Sequence, residues 1–502
     1  MEKSRAKIIN RRPAVFIAAS LIAGIFLTAL LYGNALALFI AAPLALIAPI
    51  LAIVFKKKTL MVCAVFFIVG GVSFFISYSL TLVNTDKNFD AAYGRIKETL
   101  TVNEAGRYGY LVDELEIDGV RRDRNAVLYT GEKLAEGSYI SARGEVKPFN
   151  YDVLDSISMS YFNSGVNYKI YADQILLSGR NKLNAFEKLN VRIKGAYISS
   201  LGEKYGGLAL AIVFGNRSVL DGQTSNATKI NGVFHIFSVS GLHVAFLSSI
   251  VLFVLKKCRA GRLVSLITVA AVIVFYGVLT GFPPSLVRAA VMLSVLLLGR
   301  MFFLRFDPLS ALSFSAVLIL IFQPLYLFEL GFQMSFAAML GITCFYTPLK
   351  RFLNRGKGSV SDFISSSIAM SLSANSILIA IAINTFRYIG VYFCLANLVL
   401  IPLVSAAYML LTLFTIPLAA TDFFGFLMYI PKIFLAAFSF ISEFFAGLPF
   451  AAAGTRNISF VAAVYAFLMI FMSKFNMLDK KYKFGITAGI AGVTAVLAFA
   501  LI

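Results

Sequence analysis

The chain has 502 residues, 59% of them hydrophobic, with 36 glycines and a formal net charge of +20. Apolar runs close to 20 residues long recur along it, more than a soluble core can use, so a soluble globular protein is excluded and a polytopic membrane protein is expected. The four cysteines lie in apolar runs or, for Cys258, in a basic loop, which excludes a disulfide framework.

Lys3, Arg5, Lys7, Arg11 and Arg12 precede an apolar run over 14–32, which spans about 28 Å at ~1.5 Å per residue. Ala35-Leu-Ala37 resembles a signal-peptidase site, but a second apolar run over 35–55 follows after only Gly33-Asn34, and the two read as a transmembrane hairpin. Lys and Arg in short loops stay on the cytoplasmic side. Lys56-Lys57-Lys58 therefore ends the hairpin inside, and the third run, over 60–83, leads outward. Residues 1–83 form an N-terminal three-helix segment.

Residues 84–188 are dense in charge and contain no run able to cross a bilayer, so they are expected to be an inserted extracytoplasmic domain. Alternation over 107–113, 125–129, 139–146 and 166–171, with turn signals at Asp118-Gly119 and Glu136-Gly137, predicts four or five short strands. A small OB-like β-barrel fits. Its nine tyrosines could stack on nucleic-acid bases, although tyrosine also simply favours strands. The domain holds 14 Lys+Arg against 16 Asp+Glu, whereas a sequence-blind DNA binder is basic.

An amphipathic connector is expected over 189–236, then a channel domain over 237–502. Its spans fall near 237–255, 263–280, 284–303, 308–322, 326–348, 362–384, 388–418, 425–446, 458–473 and 484–502, for about thirteen transmembrane helices in all. The 388–418 run is too long for an untilted span and holds Pro402 and Pro417, so it either bends or breaks. Basic clusters at 256–262, 300–305, 350–357 and 474–483 alternate correctly to be cytoplasmic, so most of the net charge is a topology signal.

Both histidines of the chain lie in Gly232-Val-Phe-His235-Ile-Phe-Ser238-Val-Ser240-Gly241-Leu-His243. On one ideal helix, eight residues separate them by about 12 Å of rise, too far to share a metal ion, and no further ligand of zinc spacing is near. No nucleophile elbow or orienting carboxylate accompanies the serines, so neither catalytic nor metal-binding residues are expected. The serines can satisfy helix backbone and Gly241 can permit close helix approach. Arg288 and Glu329 sit at similar depth near the outer ends of their spans and are expected to pair, the alternative for Arg288 being snorkelling to the interface.

The histidine motif resembles the ComEC competence-protein family, as do Phe214-Gly215-Asn216-Arg217-Ser218 before it and Gly281-Phe-Pro-Pro-Ser285-Leu-Val-Arg288-Ala after it. Arg305-Phe-Asp307-Pro-Leu, Glu329-Leu-Gly331-Phe-Gln333-Met-Ser335-Phe and Ala396-Asn397-Leu-Val-Leu-Ile-Pro402 extend the resemblance. It departs at Pro148-Phe-Asn150, where the family has Asn-Pro-Gly-Gly-Phe, and at Ile381-Ala-Ile-Asn384, where a proline is usual. The resemblance implies a cell-membrane channel carrying single-stranded DNA inward during natural transformation. Pore or gating roles would fall to Arg217, His235, Ser238, Ser240, Gly241, His243, Arg288, Glu329, Gln333 and Asn397.

No phosphate-binding Gly-x-x-x-x-Gly-Lys-Ser occurs, so no nucleotide cofactor is expected and transport implies a cytoplasmic ATP-driven motor as partner. A DNA receptor is also implied. Many members of the family continue into a metallo-β-lactamase-like domain, whereas this sequence stops at Ile502 with no histidine beyond His243. Any nuclease is therefore expected on a separate polypeptide. Self-association is compatible with this reading. Two alternatives stay open: a transporter of a small polar solute with Arg288, Glu329 and Asn397 as its site, and a membrane scaffold that moves nothing.

Overall fold

The computed structural model describes residues 12–32, 58–81, 89–102, 108–117, 119–149, 151, 156–163, 165–177, 184–217, 219–239, 241–301, 307–353, 359–386, 388–420 and 422–454. The expected spans at 35–55, 458–473 and 484–502 lie outside these residues. Each of the other expected spans overlaps a helix in its described part, although 237–255, 326–348, 388–418 and 425–446 open on a 3-10 turn or a short strand.

Helices α1 (Pro13–Leu31) and α2 (Lys58–Thr81) pack side by side. Their contact is close because small residues meet backbone: a Cβ on Gly24 would strike the Phe67 carbonyl, and one on Gly70 the Leu21 carbonyl. This is the small-residue packing that membrane helices use where no hydrophobic effect drives them together.

The inserted domain follows as β1 (Phe89–Val102), β2 (Tyr108–Ile117), β3 (Val120–Arg121), β4 (Asn125–Thr130), β5 (Tyr139–Pro148), α3 (Ser156–Asn163) and β6 (Val166–Leu177). The neighbours run β1-β2-β4-β6-β5 and back to β1, a closed five-stranded OB-like barrel with β3 as a short hairpin arm on β2. Only β4 and β6 pair in parallel. Alternate residues point inward, so Tyr110 and Val112, Ala126 and Leu128, Ile140 and Ala142, and Tyr168 and Ile170 fill the barrel. The long first strand escapes a simple alternation reading because Arg95, Lys97 and Glu98 interrupt it. It bends to pair with both β2 and β5, and Gly94 at the bend lies where a Cβ would strike the Val112 side chain.

Helices α4 (Ala185–Leu201), α5 (Glu203–Phe214) and α6 (Gly222–Ile230) come next, then a 3-10 turn (Phe234–Phe237), α7 (Gly241–Lys257), α8 (Arg262–Thr280), α9 (Pro284–Met301) and α10 (Pro308–Phe322). A second 3-10 turn (Pro324–Phe328) leads into α11 (Leu330–Leu353), α12 (Ser359–Phe386), β7 (Tyr388–Gly390), α13 (Phe393–Ala420), a third 3-10 turn (Asp422–Met428), α14 (Tyr429–Ala446) and β8 (Ala452–Gly454). Seven helices among the described residues are long and apolar enough to cross a membrane, and stretches of α9 and α10 are shorter apolar helices. The protein is thus a polytopic helical membrane protein carrying an OB-like barrel. α13 does not break: it is continuous over 28 residues, about 42 Å at ~1.5 Å per residue, a length a tilted span accommodates.

Within the segment expected to be an amphipathic connector, α4 and α6 each bury one face, but α5 is buried on all sides. Every residue of α5 from Gly206 to Phe214 is buried, and α4 and α5 share one core with Leu400, Val404, Tyr408 and Leu411 of α13 and Leu435 and Phe438 of α14. A helix apolar all round belongs inside, not on a surface.

The barrel is seated on the helices at two places. Met159 and Phe162 of α3 enter a cluster with Phe74, Tyr78, Phe328 and Phe332. On another side, Arg95 bonds both carboxylate oxygens of Asp113 (2.9 and 2.8 Å) and reaches Glu187 of α4 at 3.2 Å, while Lys194 of α4 holds Glu136 at 3.0 Å. The Asp113 bond keeps the Arg95 guanidinium protonated above its usual range.

Candidate functional site

The sequence family motif falls where regular structure gives way. α5 ends at Gly215 in the left-handed region (φ +72°), α6 follows, and the chain then passes through the Phe234–Phe237 turn and an extended Ser238 before α7 begins at Gly241. Non-helical backbone inside a helical bundle leaves carbonyls without partners, and each must be satisfied locally. Side chains of α7, α8 and α9, and of Arg217 just past α5, do this. His243 donates from Nε2 to the Ile212 carbonyl (2.7 Å), Tyr276 of α8 to Val213 (2.5 Å), Arg217 from Nε to Phe237 (3.1 Å), and Ser285 of α9 to Val239.

The two histidines do not share a helix, so the spacing worked out for one continuous helix does not apply. His235 is exposed on the 3-10 turn, its Nδ1 donating to the Gly232 carbonyl at 3.2 Å. His243 is 2% exposed, with its ring edge-on to Tyr408 at 4.4 Å and with the Tyr408 hydroxyl donating to its carbonyl at 3.4 Å. In this arrangement His243 is a staple between α5, α7 and α13 and faces no open path.

Ser238 donates to the His235 carbonyl at 2.8 Å, closing the turn as a serine at a helix end does. Ser240 lies outside the described residues. Gly241 is not a point of unusually close approach, since a Cβ there would meet that of Ala289 at 3.7 Å, an ordinary contact. Other glycines in this half of the chain permit tight packing: a Cβ on Gly341 of α11 would strike the Ser373 carbonyl of α12, and one on Gly390 the Ile230 carbonyl.

The expected ion pair is not made. Glu329, 8% exposed, accepts from Asn163 of α3 at 3.3 Å, and no cation among the described residues reaches its carboxylate. Arg288, 5% exposed, lies over the Phe336 ring at 5.7 Å with its Nε and Nη1 unbonded. Burial also rules out the snorkelling alternative. Position along the spans sets depth but not azimuth, and Arg288 faces α11 while Glu329 faces the barrel's α3.

Gln333 donates to the Leu327 carbonyl at 3.0 Å and holds the preceding turn. Asn397 of α13 donates to Ser371 of α12 at 2.9 Å. The structure thus gathers Arg217, His235, Ser238, Gly241 and His243 around one irregular segment, with Arg288 on the helix beside it, and sets Glu329, Gln333 and Asn397 at other contacts. Tyr276 and Tyr408, which the motif does not include, belong to the same segment's support. Their signal in the sequence is a hydroxyl in an otherwise apolar helix, which needs a partner.

Around the exposed end of the segment, Arg217 stands 4.8 Å and Lys229 5.2 Å from the centroid of the Phe234 ring. Among the described residues no three His, Cys, Asp or Glu side chains are placed to hold a metal ion.

Residues 212–479, just over half the chain, match the family model described as Competence protein. Over 131 residues the chain is 34% identical to ComE operon protein 3 of Bacillus subtilis (strain 168), a stretch covering 26% of this chain and 17% of that protein. Over 157 residues it is 27% identical to an "Uncharacterized protein" of Aquifex aeolicus (strain VF5), covering 31% of this chain and 35% of the other. The matches therefore span well under two thirds of either relative. No solved structure matches the chain. The family match begins at the end of α5 and takes in the whole irregular segment with the helices that staple it, and on that match the chain belongs to the competence protein family.

Proposed function

We propose that the chain forms the membrane path by which single-stranded DNA enters the cytoplasm during natural transformation, with the OB-like barrel on the outer side. The observation that carries this reading is the irregular stretch between α5 and α7, inside the family-matched region. Such backbone persists at membrane depth only where protein buries it or where it borders a polar path, and transporters place their paths at broken helices of this kind. In the present arrangement the segment is stapled shut by His243, Tyr276 and Ser285. Passage requires those helices to part along it. The family's role supplies the polyanion.

A solute site built from Arg288, Glu329 and Asn397 is disfavoured, because these three bond or stack against different neighbours. Outer placement of the barrel rests on the alternation of basic loops. The test is entry of labelled single strands in a transformable host that lacks this chain. Entry should be lost on deletion and return with the intact gene, whereas undiminished entry refutes the reading. A cysteine introduced at exposed Val120 of the barrel should be labelled in intact cells by a membrane-impermeant maleimide.

A further inference from the structure

Several half-buried cations among the described residues face a carboxylate: Arg12 meets Asp307, Arg95 meets Asp113 and Lys194 meets Glu136. Arg288 does not. It is 5% exposed, two of its guanidinium nitrogens are unbonded, and its described neighbour is the face of Phe336. A buried charge without a counter-charge is costly, and a fold that keeps one without a stabilising role keeps it for a ligand.

The location of Arg288 indicates which ligand. Ser285, Arg288 and Ala289 share one face of α9 through i, i+3 and i+4 spacing. Ser285 bonds the Val239 carbonyl and Ala289 borders Gly241, so the face of α9 that meets the irregular segment also carries Arg288, whose guanidinium lies over Phe336 of the adjoining α11. At the exposed end of the same segment, Arg217 and Lys229 stand over Phe234, and among the described residues neither has a carboxylate within ion-pair distance. Two of the three cations thus stand at the exposed end of one stretch of chain, and the third is carried by the helix packed against it.

We infer that Arg217 and Lys229 take the phosphodiester groups of the incoming strand at the surface and that Arg288 takes them next inside the bundle, so that the strand is gripped by its backbone and not by its bases. This rests on the DNA-uptake reading and specifies it. A phosphate grip is indifferent to sequence and is weakened by salt, since each contact releases condensed counterions.

Two measurements on the full-length chain in lipid nanodiscs test it. Fluorescent oligothymidylate and oligoadenylate are titrated at several salt concentrations against wild type and the double variant Arg217→Gln/Lys229→Gln. Loss of two phosphate contacts should lower the slope of log K against log salt by about 1.4 for a single strand, equally for both oligonucleotides. An unchanged slope, or a loss confined to one base, overturns the surface part.

For Arg288, the Arg288→Gln variant should melt no lower than wild type, because it removes an unpaired buried charge, while its DNA uptake falls at least tenfold and Arg288→Lys recovers part of it. A lowered melting temperature assigns Arg288 a structural role, and normal uptake removes it from the path. Either result overturns the interior part. Normal uptake in all these variants, in a host whose deletion strain takes up nothing, refutes the grip and leaves the uptake reading standing. Normal uptake in the deletion strain refutes both.

Discussion

Replacing His243 is the most direct way to separate a staple from a pore lining. Its ring is 2% exposed and donates to the Ile212 carbonyl at 2.7 Å near the end of α5. Leucine has similar bulk but no donor, so His243→Leu strands a buried carbonyl, a loss of about 1–3 kcal/mol by the general cost of an unsatisfied group. Hydrogen bonds between membrane helices are worth less on average, about 0.6 kcal/mol with a ceiling near 1.7. The two ranges overlap at 1–1.7 kcal/mol, which we take as the expected loss, roughly a tenfold change in the folding equilibrium. His243→Gln keeps a donor and should cost less than half as much. The assay is equilibrium unfolding of the purified chain in mixed micelles, with DNA uptake measured on the same variants at matched membrane levels. Stability and uptake should fall in the same order, Gln before Leu. Equal destabilisation by Gln and Leu would refute the staple, and loss of uptake in a Gln variant of wild-type stability would assign the imidazole a role in transport itself.

The missing ion pair makes a charge exchange uninformative for rescue: Arg288→Glu/Glu329→Arg should take up DNA no better than the worse single variant, and recovery would show that the two side chains meet in another conformation. Gly341→Leu, which drives a side chain into the Ser373 carbonyl, should separate α11 from α12 and lower the melting temperature, whereas Gly241→Ala should change it little. Phe162→Ala should cost about 3–5 kcal/mol of local stability at the barrel's seat, read as faster proteolysis between the barrel and the helices. Residues 84–188 expressed alone should form a β-rich monomer that binds single-stranded DNA more weakly than micromolar at physiological salt. Tighter, salt-sensitive binding would show that local patches override the net acidic count.

Hydrophobic runs were sufficient for the described spanning helices, because they record partition between lipid and water and need no tertiary contact. Four barrel strands were legible for a related reason, since Tyr110 and Val112 or Ile140 and Ala142 alternate against a single core. β1 was not, because its Arg95 reaches Asp113 and Glu187, partners on other elements. The same limit hid the state of the motif. The apolar run from 237 sets a helix start between His235 and His243 but says nothing of the 3-10 turn and extended Ser238 before it, and whether Arg288 meets Glu329 depends on how helices rotate against their neighbours. α5 reads as connector because it is only 12 residues long, and its burial follows from α13 and α14, which come some two hundred residues later.

In OB-fold barrels the loops between strands one and two and between strands four and five grip oligonucleotides together with the face between them. Here the second of those loops, between β5 and β6, carries α3, and α3 is plugged by Met159 and Phe162 into the helices below. Half of the usual gripping apparatus has become a foundation. If the proposed uptake reading holds, a strand reaching the membrane passes along the barrel's flank and is not cupped by that loop. On that reading, a domain fixed in this way is masonry at the entrance and sets where a strand arrives more than how tightly it is held.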